Sequence, residues 1–165
     1  MNGREDRLPQ PAEIDAKERD DAMGAYLMMF AAWAIGLPFP MLNLIAALIY
    51  FLINKRTSRF VAFHAYQSLI TQFPVTAVNV TTVVWLIRIL ITDLDFSSRF
   101  FGFLLFAVVW NLLYVGLSIV AMTRAHHGEF FYFPIFGRIA FARYFWPNSA
   151  PLEGRDSSNH PPSGF

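Results

Sequence analysis

Three stretches of this 165-residue chain carry no Asp, Glu, Lys or Arg: residues 22–54, 60–87 and 100–123, with His64 the one histidine inside them. A helix needs about 20 residues to cross the roughly 30 Å hydrocarbon core of a bilayer, and charged side chains within that run are costly. Each stretch is long enough, and three of them leave room for little else. The sequence therefore predicts an all-α polytopic membrane protein. Composition agrees, because 55% of residues are hydrophobic and only 15% charged. A water-soluble domain this small has too much surface to carry so little charge.

Several function classes fall away at once. A formal net charge of +1 gives no footprint for nucleic acid. With no cysteine, disulfides, thiolate catalysis and Cys-held metals are excluded. Ala32-Trp33-Ala34 resembles a signal-peptide cleavage site. The long acidic leader before it and the apolar run beyond it argue against that reading.

The chain divides into a polar N-terminal tail (1–21), a membrane domain (22–123), a segment at the cytoplasmic face (124–146) and a flexible C-terminal tail (147–165). A short helix from Pro11 is expected in the first tail, where Glu13 and Lys17, and Asp15 and Arg19, stand four apart. The stretch 22–54 is broken by Gly36, Pro38 and Pro40. It reads either as a hairpin of helices at 22–36 and 40–54, each ~22 Å long and so short or re-entrant, or as one broken span. The hairpin is favoured, and it puts both termini on one side. Lys55, Arg56 and Arg59 make a basic loop, which the positive-inside rule places in the cytoplasm. The next helix covers 60–91, with Pro74 as a kink and Arg88 reaching for headgroups. Asp93 and Asp95 follow on the opposite side, and the last span covers 100–123. Arg124, His126, His127, Arg138 and Arg143 then face Glu129 alone, again a cytoplasmic pattern. The aromatic segment 129–146 is predicted to lie in the headgroup region, rings down and arginines toward phosphate. The expectation is about four transmembrane or re-entrant helices plus a C-terminal interfacial helix, in a bacterial inner (plasma) membrane with cytoplasmic termini.

One constellation stands out. His64, Ser68, Thr71, Asn79 and Thr82 recur along one helix face, flanked by Gln67 and Gln72. Such groups are costly against lipid, so the face is expected to meet other helices or a wet cavity. Two accounts follow: interhelical hydrogen bonding in a scaffold, or the lining of a path through the membrane. His64 reads as a structural histidine, since a haem would need a second axial ligand at its depth. His126 and His127 point ~100° apart on a helix and make a poor metal pair. No metal or cofactor is expected. Acids lie outside the spans, which removes the carboxylates that proton relays use, and no catalytic set is visible. The chain is expected not to be an enzyme.

The stretch LPFPMLNLIAALIYFLINKRTSRFVAFHAYQSLITQ (37–72) joins a proline-broken apolar segment, a basic loop and a helix opening with Arg59, Phe60, Phe63, His64, Ala65 and Gln67. AMTRAHHGEFFYFPIFGRIA (121–140) adds a span end, a Gly-Glu, aromatics and a Pro-Ile-Phe-Gly turn. Together these resemble the Tic-twenty-like family, small bacterial membrane proteins related to the twenty-kilodalton subunit of the chloroplast inner-envelope protein translocon. The resemblance implies four helical segments with cytoplasmic termini, and a part in moving or assembling proteins at a membrane. The expected partners are the lipid bilayer and other membrane-protein subunits. The leading expectation is an accessory or scaffold subunit; the competitor is a small pore or carrier lined by the His64–Thr82 face.

Overall fold

The computed structural model describes residues 8–31, 40–92, 96–145 and 158–162. Among them are five α-helices and no strand. Asp15 opens α1 (Ala16–Leu27) by accepting from the Glu18 N–H at 2.8 Å, so the helix starts six residues before the apolar run does. One tighter turn, Met28–Phe30, extends it. Helix α2 (Pro40–Asn54) begins on a proline, whose fixed φ suits the first helical position. Ser58 accepts from Val61 N at 3.2 Å to start α3 (Arg59–Ile91), 33 residues long. Ser97 does the same for α4 (Ser98–His126) through Phe100 N at 3.3 Å. A short α5 (Phe136–Tyr144) closes the fold.

Helices α3 and α4 are long and apolar enough to cross a bilayer. In a soluble protein such helices would be the core. Here only 17% of the most apolar window of each is buried, and Phe73, Leu90, Ile91, Leu105 and Leu112 point outward. That much apolar surface needs lipid around it. The protein is an all-helical membrane protein with two helices of spanning length. Among the described residues only these two reach spanning length; at ~1.5 Å per residue, Ala16–Leu27 and Pro40–Asn54 are each shorter than the ~30 Å core.

Pro74 sits inside α3 without ending it. The Gly36–Phe39 part of the expected break, and the acids Asp93 and Asp95, lie outside the described residues, as do tail residues 1–7, 146–157 and 163–165. The first half of α3 packs against α1, α2 and α5, while α4 packs along α1 and α3. Gly24 of α1 makes room for Tyr50 of α2: a Cβ there would lie 2.5 Å from the Tyr50 hydroxyl, which donates to the Asp21 carbonyl at 2.7 Å.

Segment 129–146 differs from the expectation. Only Phe136–Tyr144 is helical, and its rings turn inward: Phe141 and Phe145 are buried, with Phe130 and Phe133 from the preceding loop. The reason is the company they find. Phe63 and Phe130 stand 5.0 Å apart, Phe130 and Phe145 5.2 Å, and Phe141 and Phe145 5.7 Å. Edge and offset contacts of this kind within protein compete well with a headgroup layer. Ile135 carries the turn into α5 at φ 67°, a strained conformation for a β-branched residue.

Candidate functional site

The polar face of α3 is two sites. In the first half of the helix, Gln67 is the organiser. Its Oε1 accepts from Phe133 N at 3.3 Å, and its Nε2 donates to the Phe131 carbonyl at 2.9 Å and to the Tyr26 hydroxyl at 2.8 Å. These backbone partners fix which end of the amide is which. Tyr26, having accepted from Gln67, has its single O–H left for His64 Nδ1 at 2.8 Å. The imidazole is then the neutral tautomer with its proton on Nε2. That atom is buried without a hydrogen-bond partner, in a ring enclosed by Phe60, Phe63 and Phe130 at centroid distances of 4.5, 5.0 and 5.8 Å.

Ser68 donates to the Ala25 carbonyl at 2.7 Å, tying α3 to α1. Thr71 bonds back to the Gln67 and Ser68 carbonyls of its own helix. Arg59 is exposed and reaches the other way. Its Nε and Nη2 donate to the Tyr144 carbonyl at 3.0 and 2.6 Å, and its guanidinium lies 4.6 Å from the Phe145 ring centre. It thus closes the C-terminus of α5, where a cation meets orphan carbonyls. Phe63 is buried between His64 and the rings of Phe130, Tyr132 and Phe145.

Asn79 and Thr82 belong elsewhere. Asn79 and Asn111 of α4 exchange amide hydrogen bonds of 3.0 and 2.7 Å, and Asn111 also donates to the Ala107 carbonyl at 2.7 Å. Thr82 bonds to Val78 of its own helix at 2.9 Å. Both line a cavity of about 570 Å³ between α3 and α4, which Gln72, Tyr114 and Asn43 also border. The face read as one row is therefore a sealed network at one end and a cavity wall at the other.

Sequence reasoning missed three partners. Asn111 had a signal, as the one amide within the apolar run 100–123. Tyr26 had none. Asn159 falls in a tail read as flexible, yet it is buried. Its Nδ2 donates to the Pro9 and Gly128 carbonyls at 2.7 and 3.0 Å, and its Oδ1 accepts from Phe130 N at 3.0 Å. Its backbone is paired with the Gln10 amide in both directions. Residues 9–10, 128–130 and 159 form one knot. No group of three metal-type ligands occurs among the described residues. His126 faces Asp20 at 3.3 Å and His127 faces the Thr123 carbonyl at 2.7 Å, so the two rings serve different partners.

A family model described as the magnetosome magnetite crystal formation protein family matches residues 18–140. No curated protein and no solved structure matches the chain. The family match overturns the Tic-twenty-like resemblance. All of 37–72 and all of 121–140 lie inside the matched region, so the residues that carried the likeness belong to a different family's pattern. In the structure they are a packing solution: Arg59, Phe63, His64 and Gln67 fit α3 to the 130–145 segment. Proteins with unrelated tasks can share such a solution.

Proposed function

This chain belongs to the magnetosome magnetite crystal formation protein family, and from that premise we propose that it is a non-catalytic protein of the magnetosome membrane that supports magnetite crystal formation through its contacts there. The observation that carries the reading is the extent of the match, from α1 into α5, across both the sealed network and the two long helices. A scaffold role is supported by how the polar groups of residues 59–71 are used. They join α1, α3, α5 and the 130–133 segment to one another.

Both termini are proposed to lie on the cytoplasmic side. The bonds between Asn159 and Pro9 and Gln10 support a common side, and the basic loop at Lys55, Arg56 and Arg59 supports the cytoplasm. The region 16–54 then enters and leaves by one face, and α1 and α2 are short enough for a re-entrant pair. In sealed isolated magnetosomes, whose outer surface is the cytoplasmic face, an impermeant thiol reagent should label a cysteine at position 2 directly; labelling only after the membrane is permeabilised would refute the topology.

Function is tested by deleting the gene in a magnetite-forming host and measuring the crystals by electron microscopy. Smaller or fewer crystals, restored by a plasmid-borne copy, are expected. Unchanged crystals would overturn the proposal. Fractionation tests the location separately, with enrichment in isolated magnetosomes expected and confinement to the bulk plasma membrane counting against it.

A further inference from the structure

The cavity between α3 and α4 sits at a depth that narrows what it can hold. Asn111 stands ~18 Å along its helix from Arg99 and ~20 Å from Arg124, at ~1.5 Å per residue. Those arginines bound the charge-free run of α4, so the Asn79–Asn111 pair lies near the middle of the bilayer. The rim is apolar and outward-facing, at Phe30, Val108 and Leu112 (38, 48 and 67% exposed), so access is from the hydrocarbon. The volume, about 570 Å³, is that of a small-molecule site.

The polar inventory is neutral: no acid or base lines the cavity. Within the amide pair, both Asn111 Nδ2 protons are used, one on Asn79 and one on Ala107. Asn79 Nδ2 spends one proton on Asn111 and keeps one. Phe30 and Tyr114 are the aromatic side chains of the same lining. An N–H donor in hydrocarbon is costly until something accepts from it. Ester carbonyls of phospholipids do not reach it, because they stand at the edge of the core, about 15 Å from the centre.

We infer that this cavity binds a quinone-type molecule, an uncharged ring carbonyl on an apolar body dissolved in the bilayer, with Asn79 Nδ2 donating to the carbonyl. Phe30 and Tyr114 flank the ring, and Leu104, Leu112 and Val115 take the apolar remainder. The inference needs the two long helices in a membrane and is independent of any part in crystal formation.

The test uses the full-length protein in phosphatidylcholine nanodiscs with a photoreactive azido-ubiquinone, the labelled peptides being mapped by mass spectrometry. Label is expected on residues 72–82 and 104–115, and excess decylubiquinone should suppress it. It should fall about tenfold in Asn79→Leu/Asn111→Leu, the fold-change of one lost buried hydrogen bond. Val108→Trp, which blocks the rim and leaves the amides in place, should give a similar loss without touching the network around Gln67. Label spread over the whole lipid-facing surface, or unchanged in Val108→Trp, would overturn the inference. So would a phosphatidylcholine photoprobe that marks the same residues and is not displaced by decylubiquinone, since the cavity would then belong to bilayer lipid.

Discussion

Residues 60–72 and residues 73–91 belong to one helix, and both halves carry amides and hydroxyls among apolar neighbours. In the first half those groups are enclosed by α1, α2, α5 and the 130–133 segment, and Gln67 alone makes three hydrogen bonds to other parts of the chain. In the second half Phe73, Leu90 and Ile91 face outward, and Asn79 has a single partner residue on one neighbouring helix. The same chemistry is structural glue at one end and a half-satisfied cavity wall at the other. What differs is the number of backbone groups left looking for partners. The irregular 130–133 segment brings N–H and C=O groups that no helix satisfies, and a buried amide side chain is the economical answer. Two packed helices bring none, so there the amides meet each other and, from Asn111, one carbonyl of its own helix.

The largest expected effect breaks the sealed half. Gln67→Leu strands Phe133 N and the Phe131 carbonyl, each worth about 1–3 kcal/mol when orphaned, and takes from the Tyr26 hydroxyl one of its two bonds, the one to His64 remaining. A loss of about 3–5 kcal/mol in unfolding free energy is expected, allowing for non-additivity within one network. Denaturation of the detergent-solubilised protein measures it. A loss under about 1 kcal/mol would mean that the network contributes little to the fold.

Asn159→Ala comes next. It leaves Phe130 N and the Gly128 and Pro9 carbonyls without their side-chain partner, at about 2 kcal/mol. Because the knot joins both chain ends, limited proteolysis reads it directly: cleavage near residue 10 should accelerate. Equal cleavage rates in the two proteins would show that the ends are held by something other than Asn159.

How much of this could be read beforehand follows the same division. The spanning helices were legible, since charge-free length and period survive in any context that contains lipid; α3 begins at Arg59 where the sequence put 60, and ends at Ile91. The polar face was legible as residues and not as partners. Helical spacing says which side chains share a face, but Tyr26 and Phe131 reach it from 38 to 64 positions away, and Asn159 binds segments 29 to 150 positions from itself, in contacts no local pattern encodes. In the aromatic segment the direction of the rings was not legible. Composition alone does not say that Phe130, Phe133, Phe141 and Phe145 turn inward, and Phe60 and Phe63 on another helix are what Phe130 meets there. The family likeness failed because its short motifs, each weak alone, all lie within residues that match another family's model.

The outward half should be forgiving. Asn79→Leu leaves Asn111 without its reciprocal partner, and hydrogen bonds between membrane helices average ~0.6 kcal/mol with a maximum near 1.7. Removing both amides in Asn79→Leu/Asn111→Leu should cost less than the single change, because no orphan remains. That ordering, single worse than double, is the signature of a pair that satisfies itself. If Asn79→Leu cost as much as Gln67→Leu, the contrast between the halves would collapse.

The smallest effect is the finest probe, because it repeats one substitution in both halves. Thr71 and Thr82 each return their hydroxyl to a carbonyl of their own helix, at 2.8–3.0 Å and 2.9 Å. Valine keeps the shape and removes the bond. In either half the carbonyl so released still has its helical N–H, so the back-bond itself accounts for little. Thr71 differs in its surroundings: it is buried, whereas Thr82 borders the cavity. Thr82→Val should therefore change unfolding free energy by less than about 0.5 kcal/mol, and Thr71→Val, at a buried position, by about 1 kcal/mol. Equal costs would mean that the enclosed half owes its stability to Gln67 and the aromatic rings alone, and that burial of the helix face adds nothing for a hydroxyl that already serves its own backbone.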